Sequence, residues 1–213
     1  MKYVVMALAC ALAAPAMAQT YANANDADAI FDFGYPDTTS YGQVFTAPGG
    51  TLSSWTFYDT DSSDNGARLV VAAWDGSKAV GPELYSSLSQ NVTAGSFFAH
   101  TYSNINLSLT AGTSYIAYLT VAGVDSPTSG NSVAGSSSSP LGGGFRYLNS
   151  GGQDPLALGD VFWNSYYVPN MQYSATFNGA VPEPASWALM LGGFGLVGGA
   201  LRSRRKTAVA FGK

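Results

Sequence analysis

Short runs of alternating apolar and polar residues fill most of the chain between residues 43 and 178. In 105–109 the apolar residues are Ile, Leu and Leu, with Asn and Ser between them, and in 173–177 Tyr, Ala and Phe alternate with Ser and Thr. A period of two residues is typical of strands that bury one face. The strands predicted in this way are 43–46, 52–59, 68–74, 83–87, 97–102, 105–109, 114–122, 144–148, 161–167 and 171–178.

Turn residues separate these runs, and they favour a compact all-β domain. Pro48-Gly49-Gly50, Asp75-Gly76 and Gly81-Pro82 each supply a proline-fixed or glycine-permitted backbone position. The half-apolar strand faces need a second sheet to cover them, so we predict a β-sandwich of jelly-roll type over residues 19–180. A solenoid is the alternative, but no fixed-length repeat is visible. Residues 125–144 are rich in Ser, Gly and Pro and predict a long mobile loop over one end.

The predicted domain is strongly acidic. Residues 19–180 contain twelve acidic side chains against Arg68, Lys78 and Arg146, a net charge of −9. Such a surface repels phosphate, so nucleic acid is not an expected partner. The single cysteine, Cys10, lies near the N-terminus, outside this domain, which excludes disulfides and cysteine-based zinc sites from it.

The N-terminus has the pattern of an export signal. Lys2 precedes an apolar stretch over residues 3–14, and Ala16-Met17-Ala18 provides small residues at the positions that signal peptidase requires. We therefore predict a signal peptide over residues 1–18, with signal peptidase as a partner and cleavage between Ala18 and Gln19.

The C-terminus combines three unlike elements in a fixed order. Pro182-Glu183-Pro184 cannot enter a helix interior and predicts an accessible extended peptide. Residues 185–201 carry no charge, include Trp187 near their start, and predict a single membrane helix about 25 Å long. Positive charges follow, which favour a cytoplasmic location of the chain's end and leave the domain facing outward. These charges are Arg202, Arg204, Arg205 and Lys206.

This order of elements resembles the PEP-CTERM sorting signal, in its PEPxxWA variant. The resemblance covers residues 181–213, with the motif at 181–188, the membrane helix at 185–201 and the basic cluster at 202–206. It departs from the usual pattern in Ser203 and in the residues after Lys206. The resemblance implies recognition of Pro182, Glu183, Pro184 and Trp187 by an exosortase. It further implies a Gram-negative source, an inner-membrane precursor facing the periplasm, and delivery to the cell surface or an exopolysaccharide matrix.

One acidic turn could bind a metal. Asp59, Asp61 and Asp64 place hard oxygen ligands close together in sequence, which suits calcium. Two residues rather than one separate Asp61 from Asp64, and no glutamate follows as in an EF-hand loop. A solvated turn explains the same residues, so calcium is the only cofactor considered and none is firmly expected.

A cluster of aromatic residues raises the possibility of sugar binding. Trp163, Tyr166 and Tyr167 put large rings on both faces of one predicted strand. Such rings can stack on pyranose faces, although rings in a β-domain also commonly form the core.

Enzymatic chemistry is not expected from these residues. His100 is the only histidine and lies within a predicted strand, where a paired strand histidine explains it without catalysis. The function we predict is therefore a non-enzymatic surface or matrix protein with a structural or carbohydrate-associated role. The alternatives are a carbohydrate-active enzyme and an adhesion or ice-type surface-binding protein.

Overall fold

A computed structural model of the chain describes residues 17–61, 66–91, 98–179, 193–195 and 198. The chain divides into two compact units, Met1–Ala180 and Val181–Lys213. All described strands belong to the first unit, together with one short 3-10 helix, Pro155–Leu158. The strands are β1 (Gln19–Ala22), β2 (Ala27–Phe33), β3 (Ser40–Thr46), β4 (Thr51–Asp61), β5 (Gly66–Trp74), β6 (Ala79–Ser86), β7 (Gln90–Asn91), β8 (Phe98–Ser108), β9 (Ser114–Thr120), β10 (Asn131–Ser136), β11 (Gly144–Leu148), β12 (Asn170–Met171) and β13 (Tyr173–Asn178).

The strands form two antiparallel sheets. A seven-stranded sheet has the order β1-β13-β4-β10-β12, with β2 also paired to β10 and β8 to β4. A six-stranded sheet has the order β11-β3-β9-β5-β6, with β7 paired to β5. The prediction of an all-β domain with two sheets is thus confirmed, whereas the jelly-roll sandwich stays a prediction.

Aromatic side chains from both sheets share one buried cluster. The ring of Trp55 in β4 stacks on Tyr173 in β13, with 5.0 Å between centroids, and lies 4.9 Å from Phe45 in β3, which belongs to the other sheet. The alternation seen in the sequence explains this arrangement. Phe177 is buried with Tyr173, while Thr176 between them is only half-buried. Ring pairs of this kind contribute about 0.5–1.5 kcal/mol each beyond their burial.

The predicted loop over residues 125–144 is wrong in its central part. Residues Asn131–Ser136 form β10, all six are buried, and the strand pairs with β2, β4 and β12. The small side chains that suggested a loop instead allow close packing: a Cβ on Gly135 would lie 2.1 Å from the carbonyl oxygen of Asp28. The early strands β1 and β2 are likewise absent from the predictions.

Two further predictions differ from the structure or lie outside it. Residues 161–167 do not form the predicted strand, and only Asn164 makes a β-bridge there, to Tyr147. The predicted membrane helix over 185–201 falls outside the described residues except at 193–195 and 198, which are helical. Among the described residues, no helix has both the length and the apolar character needed to cross a membrane.

Strand register defines two ends of this unit. At one end Gln19 faces Phe177, close to the start of β4. At the other end Asn131 faces Phe33, and the connection 34–39 carries the chain from β2 to the start of β3. We call these the terminal end and the 33–40 end. The described candidate site lies at the 33–40 end.

Candidate functional site

A cavity of about 160 Å³ opens beside the connection between β2 and β3. We call it the ring cavity because tyrosine and phenylalanine side chains form most of its wall. Its lining residues are Ile30, Phe31, Asp32, Asp37, Thr38, Tyr41, Phe145, Tyr147 and Tyr166.

The rings of this cavity form a continuous series that runs from the core to the surface. Tyr41 lies 5.1 Å from Phe145, between ring centroids, and Phe145 lies 6.2 Å from Tyr147. Tyr147 meets Tyr166 edge-on at 6.4 Å, and Tyr166 lies 4.4 Å from Tyr167. Phe145 is fully buried, whereas Tyr166 and Tyr167 are 46% and 65% exposed. The outer rings are thus held in place by the core and remain open to solvent.

Backbone contacts fix the connection 34–39, which carries Asp37 and follows Asp32 of β2. The amide of Gly34 donates to the carbonyl of Thr38 at 2.9 Å, and the amide of Tyr35 donates to the carbonyl of Thr128 at 2.8 Å. Gly34 has φ +125° and packs so closely that a Cβ there would lie 2.2 Å from the Thr128 oxygen. The Tyr41 hydroxyl donates to the carbonyl of Phe31 from inside the cavity.

The electrostatics of the cavity are set by acidic groups. Asp32 and Asp37 are exposed, and no Lys, Arg or His is among the residues that line the cavity. The pKa of the Tyr41 phenol is raised, mainly by burial and then by the charges of Asp32 and Asp37. The pKa of the exposed Tyr167 phenol is raised by partial desolvation and then by Asp28. The mouth of the cavity is therefore both aromatic and negatively charged.

The three rings predicted to stack on sugars have different surroundings. Tyr166 lines the ring cavity, and the ring of Tyr167 contacts the ring of Tyr166. Both rings are exposed to solvent. Trp163 is only 7% exposed and packs against Tyr118 and Trp74, with centroids 5.2 and 6.3 Å away. The prediction of a stacking role is wrong for Trp163, because its ring fills a second buried cluster.

The cavity also contains residues that sequence reasoning missed. Phe31 and Asp32 come from β2, Asp37 comes from the connection after it, and Tyr147 comes from β11. The pairing of β11 with β3, which starts directly after this connection, brings them together. The signal in the sequence was that two dipeptides with an aspartate, Phe31-Asp32 and Pro36-Asp37, lie on either side of Gly34. The strand register was needed to show that these residues share a cavity with Tyr147.

The predicted calcium turn has a different arrangement at Asp59. This side chain is 1% exposed. Its Oδ2 lies 2.7 Å from His100 Nε2, but the angle at that nitrogen does not suit a hydrogen bond from an N–H group. The side-chain amide Nδ2 of Asn131 donates to the same oxygen at 3.3 Å. Asp59 thus points into the interior and not into a solvated turn, which corrects that part of the prediction. The side chain of Asp61 and all of Asp64 lie outside the described residues.

No metal centre appears among the acidic, histidine and cysteine side chains of the described residues, where no group of three or more converges. His100 lies in β8 and is buried beside Asp59, as expected for a paired strand histidine. Calcium binding by residues of the 59–64 segment stays a prediction.

The predicted processing residues lie mostly outside the described chain. Ala18 precedes β1 and Gln19 begins it, pairing with Phe177. Ala16 is outside the described residues, as are the motif residues Pro182, Glu183, Pro184 and Trp187 and the basic residues Arg202, Arg204, Arg205 and Lys206.

A comparison with protein families decides the nature of the C-terminal segment. A family model described as the PEP-CTERM protein-sorting motif matches residues 180–206. Residues 180–206 are a PEP-CTERM protein-sorting motif. This confirms the resemblance drawn from the sequence, and the match includes the Pro-Glu-Pro element, Trp187 and the basic cluster. The PEP-CTERM motif indicates an exported protein, anchored as a precursor in the membrane and processed by an exosortase. No curated protein and no solved structure matches the chain significantly.

Proposed function

We propose that this chain is a surface or exopolysaccharide-matrix protein that binds carbohydrate through the ring cavity and has no enzymatic activity. The observation that carries the proposal is the series of rings from Tyr41 to Tyr167, which ends in two exposed tyrosines beside exposed carboxylates. Exposed aromatic rings supply flat apolar surfaces, and neighbouring carboxylates accept hydrogen bonds from hydroxyl groups. This combination suits a sugar, which has apolar ring faces and a polar rim.

The PEP-CTERM motif supports the cellular part of the proposal. A protein processed by an exosortase begins as a membrane-anchored precursor and reaches the outside. We infer that the precursor sits in the inner membrane with its domain in the periplasm and that the mature protein joins the cell surface or the matrix. Polysaccharide is abundant there, so a carbohydrate-binding site would have a ligand at its destination.

Binding is tested by co-sedimentation of full-length protein, purified in non-ionic detergent, with exopolysaccharide from the producing cells. Tyr166→Ala should weaken binding several-fold, because a ring stacked on a ligand contributes about 1 kcal/mol. Phe162→Ala is the matched control, since Phe162 is 63% exposed but does not line the cavity. Equal binding by the two variants and the unaltered protein would refute a role for the ring cavity.

Sorting is tested separately with the two glutamates of the chain, Glu83 and Glu183. Glu183→Gln should leave an unprocessed membrane-bound precursor, because it removes the charge at the centre of the Pro-Glu-Pro element. Glu83→Gln removes the same charge from the domain and should be processed normally. Intact masses from membrane and medium distinguish these results, and normal processing of the Glu183 variant would contradict recognition of that residue.

A carbohydrate-active enzyme is the second candidate, and the observation in its favour is that Asp32 and Asp37 share one cavity. Glycoside hydrolysis uses two carboxylates on either side of the scissile bond. Incubation with the producer's exopolysaccharide, followed by measurement of new reducing ends, separates the candidates. If the unaltered protein produces new reducing ends and the Asp32→Asn and Asp37→Asn variants do not, the protein is a carbohydrate-active enzyme.

A further inference from the structure

The charge around the ring cavity restricts the class of sugar that it accepts. Asp32 and Asp37 supply two exposed carboxylates, and Asp28 adds a third beside Tyr167. An anionic sugar would meet like charge at this mouth, and a neutral sugar would gain only hydrogen bonds. A cationic group would instead form charge-assisted hydrogen bonds, which are stronger than neutral ones.

The basic side chains of the domain do not neutralise this mouth. Arg68 and Lys78 form ion pairs with other carboxylates, at 2.7 and 2.9 Å. Arg146 lies between Phe145 and Tyr147 on β11, so the alternation of a strand directs it to the opposite face. Its Nη1 donates to the carbonyl of Phe145 at 2.7 Å. Asp32 and Asp37 therefore remain available to a ligand.

The volume of the cavity sets the size of the group that enters. At about 160 Å³ it is smaller than the roughly 300–1,000 Å³ typical of pockets for drug-sized ligands. A single sugar unit of a longer chain fits this scale better than an oligosaccharide bound along its length. The half-exposed ring of Tyr166 at the mouth then provides the stacking surface for that unit.

We propose that the ring cavity binds an amino sugar of a polysaccharide, with its ammonium group at Asp32 and Asp37 and its pyranose face on Tyr166. This inference rests on the proposed carbohydrate-binding function and adds the class of ligand. The cavity discriminates between a free amine and its N-acetylated form, because acetylation removes the positive charge and leaves the sugar ring unchanged.

The test is a titration of full-length protein in non-ionic detergent with three tetrasaccharides, built from glucosamine, N-acetylglucosamine or galacturonic acid. We expect the glucosamine tetramer to bind several-fold more tightly than the acetylated one, because each exposed ion pair contributes up to about 1 kcal/mol, or about 5-fold in affinity. Galacturonate should bind most weakly, and added salt should reduce the preference.

Variants locate the discriminating charge. Asp32→Asn and Asp37→Asn should each lower the preference for the free amine about 2- to 5-fold while leaving the acetylated tetramer unaffected. Asparagine tolerates the positive φ of 69° at position 32, so the backbone is retained. Asp125→Asn is the matched control, because it removes one exposed charge elsewhere and should change nothing. Tyr166→Ala should weaken both tetramers equally.

Each other outcome has a definite meaning. Equal affinity for the free and acetylated tetramers overturns the amino-sugar inference and leaves carbohydrate binding in place. An equal loss of preference in the Asp125 variant also overturns it, since overall charge would then explain the effect. Failure of all three tetramers and of exopolysaccharide to bind overturns the proposed function itself.

Discussion

Substitution of Gly34 by alanine tests whether close backbone packing holds the ring cavity together. A Cβ at this position would lie 2.2 Å from the oxygen, 2.6 Å from the carbon of the Thr128 carbonyl and 2.9 Å from the amide nitrogen of Ser129. All three are backbone atoms, so no side chain can rotate away to relieve the overlap. The connection 34–39 must therefore shift away from Thr128.

The cost of this shift follows from the contacts it breaks. A side chain at φ +125° costs about 1–2 kcal/mol in backbone strain. Moving the connection also stretches the 2.8 Å hydrogen bond from Tyr35 to Thr128, worth about 1 kcal/mol. We expect Gly34→Ala to lower the free energy of unfolding by about 3 kcal/mol, a fall of roughly 6–12 °C in Tm for a domain of this size.

Gly130→Ala is the matched control for backbone strain alone. Gly130 also has positive φ, +66°, but no atom lies within 4 Å of its Cβ position. Its substitution should cost about 1 kcal/mol. Thermal unfolding followed by near-ultraviolet circular dichroism compares the two variants. If their Tm values agree within 2 °C, the close approach to Thr128 does not stabilise the connection and the reasoning is refuted.

Three further predictions address the core. Gly135→Ala should destabilise the domain by about 2–4 kcal/mol in urea unfolding, because its Cβ would meet the Asp28 carbonyl at 2.1 Å; a cost below 1 kcal/mol would show that β2 and β10 can separate freely. Burial raises the pKa of Tyr102 and Tyr118 above the unfolded value near 10. The stability that these two buried phenols contribute is therefore fully present below about pH 10 and is lost as the pH rises further. Tyrosinate absorbance should therefore show these two phenols ionising together with unfolding, and ionisation in the folded protein would contradict their burial. His100→Gln should destabilise the domain by about 1–3 kcal/mol, because the buried Asp59 loses the side chain that lies 2.7 Å from its Oδ2, and adding Asp59→Asn should recover part of that loss; no recovery would mean that the pair is not coupled.

Local patterns were sufficient to predict much of the fold. The alternation in 173–177 requires Tyr173 and Phe177 to share a face, and both are buried in β13. The same reasoning failed at β10, where the small residues suggested a loop. Gly135 is small because the backbone of Asp28 packs against it, and the sequence alone does not distinguish that need from the composition of a loop.

The candidate site was only partly predictable. The sequence predicted Tyr166 as a possible sugar-stacking ring, and its role in stacking stays a prediction. Trp163, three residues earlier, is buried by Trp74 and Tyr118 through contacts that depend on tertiary packing. Asp32 and Asp37 carry no sequence pattern that links them to β11. The PEP-CTERM motif was predictable because its elements are contiguous and each has a local physical character.

The pairing of Gln19 with Phe177 has a consequence for how the domain is displayed. The first and last strands of the described domain, which begin at Gln19 and end at Asn178, have these two residues at the same terminal end. The ring cavity lies toward the 33–40 end: its residue Ile30 aligns through Val133 with Asp59, seven residues along β4 from Leu52, which faces Phe177, a separation of roughly 23 Å. Closely spaced copies on one surface would present many cavities to the same polymer, so that affinity for the polymer would grow with surface density through multivalent contact.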